Sequence, residues 1–359
     1  MKLSHAIALI TLSAGLVACA NKPVDNTPLN PASVLKADYA LNGVFVPDFH
    51  GKQTVYTQAD KRRIDLKTEA DSFLMSFMNM NTSDVARIDK KLVWNIDHDQ
   101  ESYRECALSG CADMSFMDRM KANGPQDDQE ESEDYESYEE MGCSVKMSKN
   151  DVEIKKTGKQ RVISGFDAQE FTLQWQTEFK DDAGKKDTNL VQFVFWTTEP
   201  TEKMQSAWKI NRAFQEAYAK EKSADPLMQL LGKEGYMAIA AFSGDVEKTD
   251  KEKYNGFTKE LSKIEGYPLS IKLEWFRESN ACQKQRPAKK QALDFSNGVQ
   301  GAALGMASSF LQDQRDKMVA DWMKDALVRY IYEVTYVSEE MVRDSTFNIP
   351  HGYKIADRQ

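Results

Sequence analysis

The 359-residue sequence is short of the residue types that catalysis and metal binding use most often. It has four histidines, and the three outside the N-terminal segment, His50, His98 and His351, lie in no recognisable nucleophile–base context. The G-x-S-x-G nucleophile elbow, the H-E-x-x-H zinc motif and the phosphate-binding P-loop are also absent. We therefore expect a protein that is not an enzyme and that carries no metal and no other cofactor.

Positive charge and long apolar runs are lacking as well. The 47 basic and 56 acidic residues give a net charge of -9, which argues against nucleic acid as a partner because its binding needs a basic field. Beyond the N-terminus no apolar run approaches the roughly 18 residues of a membrane-spanning helix. The 41% apolar content excludes collagen-like and wholly disordered chains and leaves a globular protein with a core.

The N-terminus reads as a targeting segment. Lys2 supplies a short basic region, and Ala6 to Val17 form an apolar stretch too short to span a bilayer stably. The sequence Leu16-Val17-Ala18-Cys19 resembles the lipobox of bacterial lipoproteins; the alternative is an ordinary secretory peptide with an incidental cysteine. The resemblance implies that residues 1–18 are removed as a signal peptide and that Cys19 is acylated.

The same resemblance implies a location. Ala20 rather than Asp follows Cys19, which by the enterobacterial sorting pattern implies the outer membrane. The domain would then be lipid-anchored on the periplasmic face, with the membrane as its first partner. Residues 19–37 are rich in Pro, Asn and small side chains and predict a lipidated flexible tether.

Four further cysteines suggest an oxidising compartment. Cys106, Cys111, Cys143 and Cys282 allow three disulfide connectivities. Gly110 permits a tight turn between the first two, so we favour Cys106–Cys111 together with Cys143–Cys282. The spacing does not fit paired zinc knuckles, which makes structural disulfides the preferred interpretation.

Residues 38–359 predict a single β-rich domain. Short alternating segments from Asp38 onward, separated by turn residues, favour an antiparallel meander. An acidic loop at 123–142 and a helical insertion at 200–264 interrupt this pattern. His98 stands between Asp97 and Asp99, but alternation sends it to the opposite side, so a strand end is expected there and not a metal site.

Several short fragments occur in a suggestive order. They include IDKKLVWNID at 88–97, GFDAQEF at 165–171 and FNIPHGY at 347–353. This order resembles uncharacterised exported bacterial proteins of the lipoprotein-carrier-like (LolA/LolB-like) half-barrel fold. The resemblance implies an α+β fold in which a curved antiparallel sheet, a half-barrel, has helices packed on its concave face.

Aromatic and aliphatic stripes on the predicted strands have two interpretations. They form either a hydrophobic core under the helices or the lining of a pocket for an apolar or lipid-like ligand. We therefore hold two functional hypotheses, a ligand-binding lipoprotein and a structural or interaction lipoprotein that contacts another envelope component. The candidate ligand-lining residues are Phe171, Leu173, Trp175, Leu269, Ile271, Leu273, Trp275, Tyr332, Val334 and Tyr336.

Overall fold

The computed structural model describes residues 25–43, 48–71, 79–108, 111, 137–139, 141–221, 246, 260–261, 264–284 and 326–358. These residues contain a helix, α1 (Glu202–Glu221), and two short 3₁₀ helices, Ile88–Lys90 and Asp344–Phe347. The strands are β1 (Leu29–Asn42), β2 (Phe49–Thr57), β3 (Lys61–Ala70), β4 (Met80–Arg87), β5 (Leu92–Asp97), β6 (Ser102–Ala107), β7 (Val145–Ile163), β8 (Phe166–Asp181), β9 (Lys186–Thr198), β10 (Tyr267–Ser279), β11 (Val328–Arg343) and β12 (Lys354–Arg358).

All twelve strands belong to one sheet. Its order is β12-β6-β5-β4-β3-β2-β1-β11-β10-β9-β8-β7, and every pair is antiparallel except β12 with β6. The first strand and the eleventh lie side by side in the middle of the sheet. Two meanders, β1 to β6 and β7 to β10, are thus joined by a pairing between distant parts of the chain.

The sheet confirms the coarse expectation and corrects the finer one. It is largely antiparallel, as the alternation predicted, but it is neither closed nor strongly curled, so the expected half-barrel is not what the structure shows. The described part is mostly β, with α1 as its one long helix. Curvature depends on how twist and bulges add up across neighbouring strands, which the pattern within each strand does not report.

The predicted tether boundary at residue 37 is wrong, because residues 29–37 belong to β1. Ala32 and Val34 are buried in the sheet, and Pro31 lies opposite Met341 of β11. A proline near the start of a strand is compatible with strand pairing at a position where its missing N–H is not needed as a donor. The Pro- and Asn-rich composition of this segment therefore obscured a strand that begins nine residues earlier than expected.

The chain just before β1 is also held in place. Ser345 donates a hydrogen bond to the Asp25 carboxylate, and its backbone N–H donates to Thr27 Oγ1 at 3.2 Å. Arg343 Nη1 donates to the Thr27 carbonyl at 2.8 Å. Hydrogen bonds from Ser345 and from Thr27 lower the pKa of Asp25 to about 2. Hydrogen bonds therefore hold the first described residues against the end of β11.

The main core is built from cross-strand rows on one face of β8 to β11 and β1. The register aligns one residue per strand, so that each apolar side chain packs against its neighbours on both sides. Two further rows, which contain Trp175 and Phe171 of β8, run parallel to the central row. The central row consists of Leu173, Phe193, Leu273, Tyr330 and Leu41.

A glycine makes room for one of these rows. Tyr39 of β1 lies opposite Gly51 of β2, and a Cβ at Gly51 would come within 2.6 Å of the Tyr39 hydroxyl oxygen and of the Lys67 carbonyl oxygen. The Tyr39 hydroxyl continues past the glycine to the hydroxyl of Thr68 in β3. The ring can lie flat across β2 because residue 51 has no side chain.

The structure describes part of the region that was predicted as a helical insertion. α1 occupies the first part of the predicted 200–264 region, and residues 246 and 260–261 are helical too. Most of the acidic loop at 123–142 lies outside the described residues, as do the rest of the insertion, the signal peptide and Cys19. In the described ranges no helix combines the length and apolarity needed to cross a membrane.

Candidate functional sites

The predicted ligand-lining stripe forms core in this structure. Six of its residues lie in the main core, each at most 7% exposed: Phe171, Leu173, Trp175, Ile271, Leu273 and Trp275. The indole N–H groups are satisfied within the protein, since Trp175 donates to Asn150 Oδ1 at 2.7 Å and Trp275 donates to Asn189 Oδ1 at 3.2 Å. Residues from outside the sheet, among them Leu261, pack against the same cluster.

The other four candidate ligand-lining residues do not lie within the main core. Leu269 and Val334 belong to a second, smaller core that also contains Met204 and Ala207 of α1. Tyr332 is half-buried and contacts both cores, and its hydroxyl donates to Gln53 Oε1 at 3.1 Å. The structure therefore brings most of the stripe together but splits it between two clusters.

Tyr336 departs from the predicted stripe because of a β-bulge. Lys36 lies opposite Tyr336, whereas Ala37 lies opposite Val334, so β11 has one extra residue here. The extra residue reverses the alternation beyond it and turns Tyr336 outward, where it is 39% exposed. Its hydroxyl donates to Glu340 Oε1 at 2.7 Å, and this hydrogen bond raises the pKa of Tyr336.

An open groove of about 560 Å³ lies beside Tyr336. The turn between β7 and β8 forms one wall, where Ser164 donates to the Val334 carbonyl at 2.6 Å and Arg161 forms an ion pair with Glu333 at 2.7 Å. The lining is rich in hydroxyl groups and consists of Ser164, Gly165, Phe166, Ser206, Thr335, Tyr336, Val337, Ser338 and Glu339.

A serine, a histidine and an aspartate meet on β3 to β5 in a way that could suggest hydrolysis. Ser83 Oγ lies 2.6 Å from His98 Nε2 and donates to Asp65 Oδ1 at 2.5 Å, while Arg63 Nη2 donates to Ser83 Oγ at 2.9 Å. His98 Nδ1 lies 3.0 Å from the Tyr353 hydroxyl. The residues come from β3 and β4, from the turn after β5 and from the C-terminal segment.

The hydrogen-bond directions make this cluster a structural network. Because Ser83 gives its one proton to Asp65, its oxygen accepts from His98, so His98 is not placed to act as its general base. Ser83 is also 0% exposed, which leaves no path for a substrate to Oγ. Burial, followed by the charge of Arg63, lowers the pKa of His98. As predicted, His98 follows the end of β5, and Asp97 Oδ1 accepts from the backbone N–H of Asp99.

A second buried polar cluster lies beside a disulfide. Asp187 has no exposed surface, and its Oδ2 accepts from Arg277 Nη2 at 2.7 Å and from the Tyr138 hydroxyl at 2.8 Å. Its Oδ1 accepts from the backbone N–H of Asn280 and of Ala281 at 2.8 Å and 2.7 Å. The carboxylate thereby fixes the turn after β10 next to Cys282.

Both favoured disulfides are present. Cys106 and Cys111 have Cα atoms 5.0 Å apart, and Cys143 and Cys282, which are 139 residues apart in sequence, have Cα atoms 6.0 Å apart. Among the residues that the structure describes, no three His, Cys, Asp or Glu side chains form a group that could hold a metal ion.

The clusters around Ser83 and Asp187 were not predicted from the sequence. Asp65, Ser83 and His98 are separated by 15 to 18 residues each along the chain and meet only through the register of β3, β4 and β5. A sequence pattern within one strand carries no information on that register. Comparison with known proteins adds no assignment, since no family model and no curated protein matches this chain.

Proposed function

We propose that the protein is a lipid-anchored, non-catalytic lipoprotein of the bacterial outer membrane that works on the periplasmic face as a structural or interaction component. The LolA/LolB-like resemblance is retained only as a proposal about ancestry. The lipobox at Cys19 supports the anchor, and the two disulfides are in keeping with an oxidising compartment. The burial of Ser83 and its hydrogen bond to Asp65 argue against hydrolysis at this serine.

One observation carries the choice between the two hypotheses. The stripe that would have lined a ligand pocket is packed into the core, with Leu173 and Trp175 at 0% exposure and both indole N–H groups bonded to asparagines. A ligand would have to displace this packing, at a cost of about 1.5–3 kcal/mol for each large side chain exposed. This favours an interaction role over a lipid carrier.

The groove beside Tyr336 favours a second candidate function, the binding of an apolar or amphiphilic ligand at the sheet surface. Tyr336 offers an aromatic face, Phe166 and Val337 offer apolar contacts, and the serines of the groove offer hydrogen bonds. If the ligand binds in this groove, it lies outside the core and leaves the packing of the buried apolar residues unchanged.

The anchor is tested by the mass of the mature protein. The full chain and a Cys19→Ser variant would be expressed in a Gram-negative host, extracted from the outer membrane and measured intact. We expect the parent to begin at Cys19 and to carry the added mass of its acyl chains, and the variant to lack that mass. A parent protein processed elsewhere, or unmodified at Cys19, would contradict the proposal.

The choice of function is tested on the same acylated material by native mass spectrometry in detergent. An interaction protein is expected to show its bare acylated mass, and crosslinking in cells should then yield adducts larger than the monomer. A copurifying ligand that is lost in Tyr336→Ala and kept in Ile331→Ala, an exposed control position of β11 outside the groove lining, would instead establish the groove as its site.

A further inference from the structure

Exposed apolar side chains lie together at one end of the sheet, on the paired strands β1 and β11. This end, named here the N-terminal end, is where β1 begins and β11 finishes. Leu29 is 49% exposed and Met341 is 58% exposed, and Pro31, directly opposite Met341, is exposed as well.

The register places these side chains next to one another. Leu29 lies opposite Arg343 and Pro31 lies opposite Met341, so Leu29, Pro31 and Met341 are neighbours on one face of the sheet. Tyr336 is five residues before Met341 in β11, and its side chain therefore points to the other face. The exposed Val162 belongs to the hairpin that is hydrogen-bonded to Val334, nine residues before the end of β11. Tyr336 and Val162 are therefore not part of this patch.

The attachment of the chain to the membrane at Cys19 decides which end of the sheet lies near the bilayer. Asp25 is fixed to Ser345 at the end of β11, and Cys19 is six residues upstream. Six residues span at most about 20 Å, even when fully extended. A lipid on Cys19 would therefore hold the N-terminal end of the sheet, and not the opposite end, next to the bilayer.

We propose that the N-terminal end of the sheet docks on the phospholipid surface that holds the anchor, with Leu29, Pro31 and Met341 at the interface. The proposal rests on the acylation of Cys19 argued above. Exposed apolar side chains gain free energy by leaving water at the lipid interface. Tethering raises the local concentration of the bilayer, so that a small apolar contact suffices.

The charges at this end argue for docking without selection of anionic lipids. Lys90 and Lys91 are exposed in the connection from β4 to β5, while Glu339 and Glu340 are exposed on β11. Charges of both signs therefore lie at this end, and no basic field draws the sheet to anionic headgroups. Docking is expected to be similar on zwitterionic and on anionic vesicles.

The test uses the acylated full chain with a single nitroxide label. The native cysteines outside the anchor are paired in disulfides, so Met341→Cys and Leu29→Cys can each be labelled alone, with Lys67→Cys as the control. Lys67 is 66% exposed on β3, six positions from the end of that strand that lies at the N-terminal end. Each protein would be reconstituted into phosphatidylcholine vesicles, and the accessibility of the label to oxygen and to a water-soluble nickel chelate would be measured by electron paramagnetic resonance.

We expect labels at 341 and 29 to lose several-fold in nickel accessibility and to gain in oxygen accessibility relative to the label at 67. Circular dichroism of each labelled protein checks that the sheet is intact. Equal nickel accessibility at all three positions in a protein of confirmed acylated mass would overturn the docking and leave the anchor standing. It would point to a protein partner for this end. A protein that is not acylated at all would overturn the anchor and the docking together.

Discussion

Polar side chains buried in this sheet find partners from other strands. Asp187 receives four hydrogen bonds, from Tyr138, Arg277 and two backbone N–H groups, so its charge is matched although it has no contact with water. Such a carboxylate is costly to bury alone and acceptable only when all its acceptor sites are used. The same reasoning applies to Ser83, whose oxygen contacts Asp65, Arg63 and His98.

At the residue scale, His98 should make stability depend on pH. Its pKa is lowered in the folded protein, mainly by burial, so the unfolded chain binds a proton more readily near its ordinary pKa of about 6.5. The free energy of unfolding should therefore fall as pH drops through about 6.5, and the loss should stop below the lowered folded pKa. The charged groups that face the ring are Arg63, Asp65, Asp97 and Asp99.

The measurement is urea denaturation of the parent and of His98→Gln between pH 8 and pH 5. We expect the free energy of unfolding of the variant to fall less over this range. The slopes of the free energy of unfolding against pH should differ by at most the value that corresponds to one bound proton. Both proteins must unfold cooperatively at pH 8, where the imidazole is neutral. Identical slopes would show that His98 does not contribute.

At the element scale, α1 is joined to the sheet by a small apolar contact and a few polar ones. Met204 and Ala207 pack into the second core, and Asn211 Nδ2 donates to Ser33 Oγ at 2.7 Å. The Arg62 guanidinium stacks 4.2 Å from the centre of the Phe214 ring, and burial lowers its pKa to about 10. The helix therefore lies across β11, β1 and the beginning of β3.

Two alanines of α1 test this contact. Ala207 has no exposed surface, so Ala207→Leu should overpack the second core and lower the free energy of unfolding by about 1–3 kcal/mol. Ala213→Leu, the same change at an exposed position of the same helix, should stay within about 0.5 kcal/mol of the parent. Equal effects in urea denaturation would show that α1 is not packed at Ala207.

The edge strand β7 shows how a long exposed strand avoids pairing with other chains. Its 19 residues include five lysines, and its register shifts twice, after Met147 and after Lys156. Lysines and bulges on an edge both oppose the addition of another strand. The other edge, β12, is only five residues long.

At the scale of the whole molecule, the fold depends on contacts between distant segments. β1 pairs with β11 about 300 residues later along the chain, and Cys143–Cys282 closes a separation of 139 residues. Such contacts cost loop-closure entropy, and a disulfide reduces that cost by restricting the unfolded chain. The short Cys106–Cys111 loop restricts it much less.

The two disulfides should therefore differ in what they contribute. On the chain-entropy model, replacing Cys143 and Cys282 together by Ser should cost about 5 kcal/mol, and replacing Cys106 and Cys111 together should cost about 2 kcal/mol. Urea denaturation of the two double variants under oxidising conditions measures both values. A larger loss from the short loop would mean that local packing, rather than chain entropy, dominates.

The sequence alone determined what depends on local pattern. Alternation identified the strands around Trp175 and Trp275 and their apolar stripes, helical spacing identified α1, and Gly110 favoured the correct cysteine pairing. These features follow from residues that are neighbours along the chain, for which propensity and periodicity are physical constraints.

Only the tertiary structure decided the features that depend on register between strands. A single bulge in β11 turned Tyr336 outward, the pairing with β11 drew residues 29–37 out of the predicted tether, and the sheet stayed open where a half-barrel was expected. The Ser83 network and the Asp187 cluster likewise exist only through cross-strand alignment. One residue of shift moves every side chain to the other face, and no single strand's sequence encodes that shift.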